Sequence, residues 1–145
     1  MTGIEFRFNA ADKVDYACRL LRKAVAAKGA QLVVTADPVT LGAVDAALWQ
    51  LSPTDFVAHC HADAQKQVLS RSPVVLAIPN AGSLPDRPVL INLSSEVPVG
   101  FERFERLIEL VGCDEGERQA GRVRWRHYTE RGYAMTRMDL SGKDA

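Results

Sequence analysis

The apolar positions open with a two-residue period. Ile4, Phe6 and Phe8 alternate with Glu5 and Arg7, which predicts a strand. From Val14 the period lengthens. Val14, Ala17, Leu21, Ala24 and Val25 recur at helical spacing behind Asp12, a residue able to cap the first turn. Gly29 is placed to end this helix, because glycine enters the left-handed conformation there without steric cost. "QLVVT" (31–35) shows no alternation and reads as a strand covered on both faces. Asp37-Pro38 is then a cap with proline at the first helical position, starting a helix through about Leu48.

Further along, "FVAH" (56–59) reads as a brief extended piece and Ala62 to Leu69 as one or two helical turns. "VVLAI" (74–78) and "VLINL" (89–93) are buried strands. The turn-rich "PNAGSLPDRP" between them is short for a helical crossover, so these strands are either antiparallel or not neighbours. "GFERFERLIELV" (100–111) fits a helix by Phe101, Phe104, Ile108 and Val111, and a strand by "LIELV"; loop then strand is the favoured reading. A final helix runs from Glu115 to Arg131, closed by Gly132, and Tyr133, Met135 and Leu140 flank a last strand. Strands alternating with helices imply an α/β fold. The expectation is a single domain over 1–145, a Rossmann-like three-layer sandwich on a mixed, mostly parallel sheet.

Charge and cysteine content narrow the class. The chain has 18 Lys+Arg against 18 Asp+Glu, which disfavours a protein built to coat nucleic acid. Cys18, Cys60 and Cys113 form no C-x-x-C pair, and free thiols suit a reducing compartment. "MTGIEFRFNAADK" lacks a signal-peptide pattern, and no apolar run approaches the ~20 residues that span a bilayer. The expectation is a cytoplasmic protein with no membrane association.

Catalytic signatures are absent. The first strand–helix junction, "FRFNAADKVD", has no glycine with which to cradle a phosphate, so P-loop and dinucleotide readings fail. His59 and His61 of "HCH" would share a face of a strand, but a zinc site needs three or four ligands. Cys60 and His59 point to opposite faces, and there is no G-x-S-x-G. No catalytic residue, metal site or cofactor is assigned.

"GERQAGRVRWRHYTERGY" (116–133) carries the distinctive chemistry. At four-residue spacing Arg118, Arg122 and Arg126 form a ladder on one side of a helix, with Trp125 beside them. Arg124, Tyr128 and Arg131 form a second row, while Ala120 and Val123 are the expected inward contacts, with Tyr128 reaching the core edge. Gly121 weakens the helix by roughly 0.5–1 kcal/mol relative to alanine, which suggests a value in its outer face or in close approach by another backbone. One reading is a solvated helix with surface ion pairs. Against it, Glu130 is the only acid between Arg118 and Arg131. Arginine also binds carboxylates and phosphates through paired hydrogen bonds, so the alternative is a site for an acidic peptide, a C-terminal carboxylate or a phosphate. Direct nucleic-acid binding through Trp125 or Tyr128, and a small Rossmann-like enzyme, are the competing functions.

The ordered set "ALWQLSPTDFVAH" (47–59), "VLINL" (89–93) and "GRVRWRHYTERGY" (121–133) resembles the chi subunit of bacterial DNA polymerase III. The resemblance implies a noncatalytic clamp-loader accessory protein. It implies binding to the acidic C-terminal tail of single-stranded DNA-binding protein (SSB), which ends in an apolar residue and a free carboxylate. Single-stranded DNA would be reached only indirectly, through SSB. By that likeness Val111 lines an apolar hole, Arg122 clamps the carboxylate and Trp125 is an aromatic wall. Arg118 and Arg126 suit the tail's aspartates. A second partner, the psi subunit or another clamp-loader component, is implied at Phe56. Trp49 faces either psi or the tail site, or else lies in the core.

Overall fold

Parallel strands must be covered on both faces, so their sequences become continuously apolar. In the computed structural model, which describes residues 1–50, 57–79 and 84–141, these runs form one sheet. The strands are β1 (Gly3–Ala10), β2 (Leu32–Thr35), β3 (His59–His61), β4 (Val74–Ala77), β5 (Val89–Asn92), β6 (Arg106–Gly112) and β7 (Met135–Asp139). The helices are α1 (Lys13–Lys28), α2 (Pro38–Trp49), α3 (Lys66–Arg71) and α4 (Glu115–Glu130), with a 3-10 turn at Phe101–Arg103. The sheet order is β3-β4-β2-β5-β6-β1-β7, and every pairing is parallel.

The mixed sheet expected from sequence is thus corrected to a wholly parallel one. β2 lies between β4 and β5, so the latter two are not neighbours and no antiparallel turn is needed. The ambiguous 100–111 stretch is a turn and then a strand, as favoured. Helix boundaries follow their caps. Asp12 accepts from the Asp15 N–H, and Gly29 closes α1 at φ 59°. Asp37 holds the cap position of α2 but its side chain makes no capping bond, leaving Pro38 as the start signal.

The layers follow from strand alternation. Leu32, Val34, Leu76, Ile91, Ile108 and Leu110 pack with Leu21 of α1 and Leu41, Val44 and Leu48 of α2. On the opposite face Ile4, Phe6, Val33, Val75, Leu90, Leu107 and Val111 pack with Phe101, Phe104 and Tyr128 of α4. The three-layer sandwich is as expected.

α4 differs from its sequence reading. Its buried residues are Gly121, Arg124 and Tyr128, whereas Val123 is 63% exposed. The cause sits on β6, whose Glu109 faces α4 and has no exposed surface. Arg124 Nε donates to Glu109 Oε1 at 3.0 Å, and Asn92 Nδ2 donates to the same oxygen at 2.9 Å. The Tyr128 hydroxyl donates to Oε2 at 2.5 Å. Asn92 Oδ1 in turn accepts from Thr35 and Ser94, at 3.0 and 2.7 Å through their hydroxyls. A buried carboxylate needs a cation, so an arginine displaces the valine that apolar counting would turn inward.

Burial raises the Glu109 carboxyl above the usual glutamate range, while Arg124 and the bonds from Tyr128 and Asn92 oppose the rise. Removing Arg124 lifts it further. An acid raised on folding favours the native state below its unfolded value and loses that favour as pH climbs through the folded one. Arg124→Met should therefore cost about 3–5 kcal/mol near neutrality, and the deficit should shrink as pH falls and Glu109 takes up its proton. Glu109→Gln added to Arg124→Met should restore most of the loss. Urea denaturation across pH measures both; a deficit indifferent to pH would mean Glu109 is not the stranded group.

Candidate functional site

Two features of the chain leave a cavity beside α4. Gly121 lies so close to β6 that a Cβ there would stand 3.1 and 3.2 Å from the Val111 methyls. α4 is therefore seated on β6, with β1 and β7 extending past it to the sheet edge. Its start is tied down as well. Asp114 accepts from the Glu117 N–H at 2.8 Å, and Glu117 Oε1 accepts from Gly112 N at 2.9 Å and Lys13 Nζ at 2.8 Å. The result is a cavity of about 740 Å³ between α4 and β1–β7.

Phe6, Phe8 and Val111 form its apolar floor, with Gly121 at the helix contact. Trp125 is half-buried, its ring edge-on to Phe6 at 5.2 Å and 69°. Arg118, Arg122 and Arg126 line the helix side and Arg137 the β7 side, against one lining carboxylate, Glu130. Arg122 pairs with Glu115 at 3.2 Å, both well exposed. Asn9 sits in the left-handed region at φ 65°, where β1 slips register between Arg7 and Ala10. Its Oδ1 accepts from Arg118 at 3.3 Å and its Nδ2 donates to Asp139 at 2.9 Å.

All five residues assigned to one site from sequence, Val111, Arg118, Arg122, Trp125 and Arg126, line this single cavity. Sequence reasoning missed Phe6, Phe8, Asn9 and Arg137. The alternation of Phe6 and Phe8 was visible, but it identifies a strand without telling which face a distant helix leaves open. Chemically, an apolar floor under guanidiniums suits an apolar side chain joined to a carboxylate.

The second expected surface lies elsewhere. Trp49 is 64% exposed at the end of α2 and does not line the cavity; the core reading is excluded. It stacks edge-on to His59 at 5.4 Å. Phe56 lies outside the described residues. His59 is explained by bonds to Asp45 Oδ1 and the Val57 carbonyl, both 2.7 Å, and His61 lies 3.6 Å from Asp45 Oδ2. Partial burial raises the Asp45 carboxyl, but the hydrogen bond and charge of His59, with His61 behind, leave it below the ordinary range.

A smaller recess of about 330 Å³ lies at the strand ends. Its Lys13 is occupied by Glu117 and by the Leu93 carbonyl at 2.7 Å. Among the described residues no cluster of three metal-ligating side chains occurs, and no helix is long and apolar enough to cross a membrane.

Comparison with solved structures gives the fold alone. The C-terminal domain of the DEAD-box protein Dbp5 superposes with a TM-score of 0.64 at 17% identity, covering 97% of this chain and 91% of that one. Dbp5 of S. cerevisiae bound to RNA and ADP BeF3 gives 0.63 at 17% identity, covering 97% of this chain and 42% of that one. Sequence comparison is more specific. DNA polymerase III subunit chi of Pseudomonas aeruginosa is 33% identical over 126 residues, 85% of this chain and 83% of the relative. The subunit chi of Haemophilus influenzae is 27% identical over 93 residues, 64% of this chain and 63% of the relative. A family profile described as "DNA polymerase III chi subunit, HolC" matches residues 1–136. This chain belongs to the DNA polymerase III chi subunit family, a noncatalytic accessory component of DNA replication.

Proposed function

We propose that this chi-family protein links SSB-coated template to the clamp-loader complex by gripping the acidic C-terminal tail of SSB. The observation that carries the reading is the convergence of Val111, Arg118, Arg122, Trp125 and Arg126 on one cavity with an apolar floor. The tail's terminal side chain enters over Phe6, Phe8 and Val111. Its carboxylate exchanges with Glu115 on Arg122, and the preceding acids meet Arg118 and Arg126. That exchange is feasible because an exposed ion pair contributes only ~0.2–1 kcal/mol and is easily replaced.

DNA is reached through SSB rather than directly. Trp125 presses its ring against Phe6, which supports a wall role over a free stacking platform. Trp49 belongs to a separate surface for psi or another clamp-loader component, the partner the resemblance also assigns to Phe56, and the protein works in the cytoplasm. Trp49 sits on α2, which packs on the sheet face opposite Tyr128 of α4, so both partners can be held at once.

Arg122→Ala should weaken an SSB-tail peptide by about 1–3 kcal/mol in a titration, the range for a central anchoring arginine. The same peptide lacking its terminal apolar residue should bind much worse to the unaltered protein. Equal affinity for the two peptides would reduce the site to general charge attraction and end this reading. Trp49→Ala should leave tail affinity within about twofold and stability within about 0.5 kcal/mol, as for an exposed side chain; a matching loss of tail binding would merge the two surfaces.

A further inference from the structure

The arginine ladder accounts for one wall of the cavity, and the facing wall belongs to β7. Arg137 stands there in register with Phe6 of β1. Neighbours in a parallel pair project to the same face, so Arg137 rises on the α4 side of the sheet. It is exposed, and among the described residues its side chain has no ion pair or hydrogen bond. Asp139, two residues on and on the same face, is already engaged. Its carboxylate accepts from Asn9, and from the Ser141 N–H and hydroxyl at 2.9 and 2.7 Å. Arg126 on the opposite wall is likewise exposed and without an ion pair among the described residues.

Two guanidiniums on facing walls, neither held in an ion pair among the described residues, match the geometry of an extended peptide. Successive side chains of such a chain point to opposite sides. From Arg118 to Arg126 the helix rises ~12 Å, and an extended chain covers that in three or four residues at ~3.3 Å each. Resting on the tail-binding reading above, we propose that Arg137 is a specificity-determining residue of the same site. It pairs with one of two adjacent acidic side chains upstream of the terminal carboxylate, while Arg126 takes the other. The slot thereby reads consecutive acids rather than total negative charge.

The test uses the full chain and two peptides sharing the same apolar C-terminal end, one with adjacent upstream aspartates and one with asparagines in their place. Arg137→Gln should weaken the diacidic peptide about three- to fivefold and leave the asparagine peptide unchanged. Arg122→Ala should weaken both. Arg71→Gln, an exposed arginine away from the cavity, removes the same charge and should change neither. The inference is overturned if Arg137→Gln affects both peptides alike or neither, or if Arg71→Gln matches it. In each of those cases the carboxylate clamp stands, provided the unaltered protein still binds. No binding of either peptide by the unaltered protein would instead remove the tail-binding reading and this inference with it.

Discussion

A single buried carboxylate organises the half of the molecule that holds the cavity. Glu109 lies in the middle of β6 with no exposed surface, and it accepts from Arg124, Tyr128 and Asn92. Two of these donors sit four residues apart on α4 and therefore on one side of it. Their bonds fix the rotation of the helix about its axis. With Arg124 and Tyr128 turned to the sheet, Arg118, Arg122 and Trp125 are turned toward β1 and β7, and they line the cavity there. A buried ion pair of this kind is a poor source of net stability. It is a good source of uniqueness, because any other rotation of α4 would strand Glu109.

Rotation alone would not open a cavity; the helix must also be offset. Gly121 allows α4 to settle directly on Val111, where a Cβ would press to 3.1 Å on a methyl and require the valine to give way. The helix then covers β6 and leaves Phe6 and Phe8 of β1 to form a floor. The register slip in β1 contributes at the far end. By holding Asn9 in the left-handed region, which asparagine tolerates better than most residues, it presents a carboxamide to both Arg118 and Asp139. The mid-helix glycine and the strand irregularity look like defects when each is considered alone. Together they produce the recess.

The fold was legible to the extent that local signals decide it. The strands and helices were foreseen where period, cap or bounding glycine lies within a few residues. β3 (His59–His61) and α3 (Lys66–Arg71), which lack such signals, run past the extended piece expected at 56–59 and the turns expected at 62–69. Sheet order was not foreseen, because the choice between antiparallel neighbours and separated parallel strands for β4 and β5 depends on where β2 inserts. The site was legible on α4, whose ladder is contiguous in sequence. The Phe6 and Phe8 part of its floor was hidden, because those side chains join Val111 only through the pairing of β1 with β6. The misreading of Val123 as inward had a specific physical source. Counting apolar positions assigns arginine to solvent, and only the unseen partner Glu109 reverses that for Arg124.

The same partner corrects the apparent charge of the helix. Five arginines between Arg118 and Arg131 suggest a cationic surface on a chain whose formal charge is zero. Arg124 is neutralised inside the protein, and Arg131 turns to the His127 carbonyl at the helix end. Arg118, Arg122 and Arg126 remain, joined by Arg137 from a strand that sequence proximity would never group with them. Charges within about 8–10 Å reinforce one another at physiological salt, and more distant ones are screened. A recess that gathers four guanidiniums against one lining carboxylate, Glu130, is consequently a concentration of positive charge on a neutral protein. Net charge describes how such a molecule behaves in bulk; the placement of Glu109 decides where its positive charge is available.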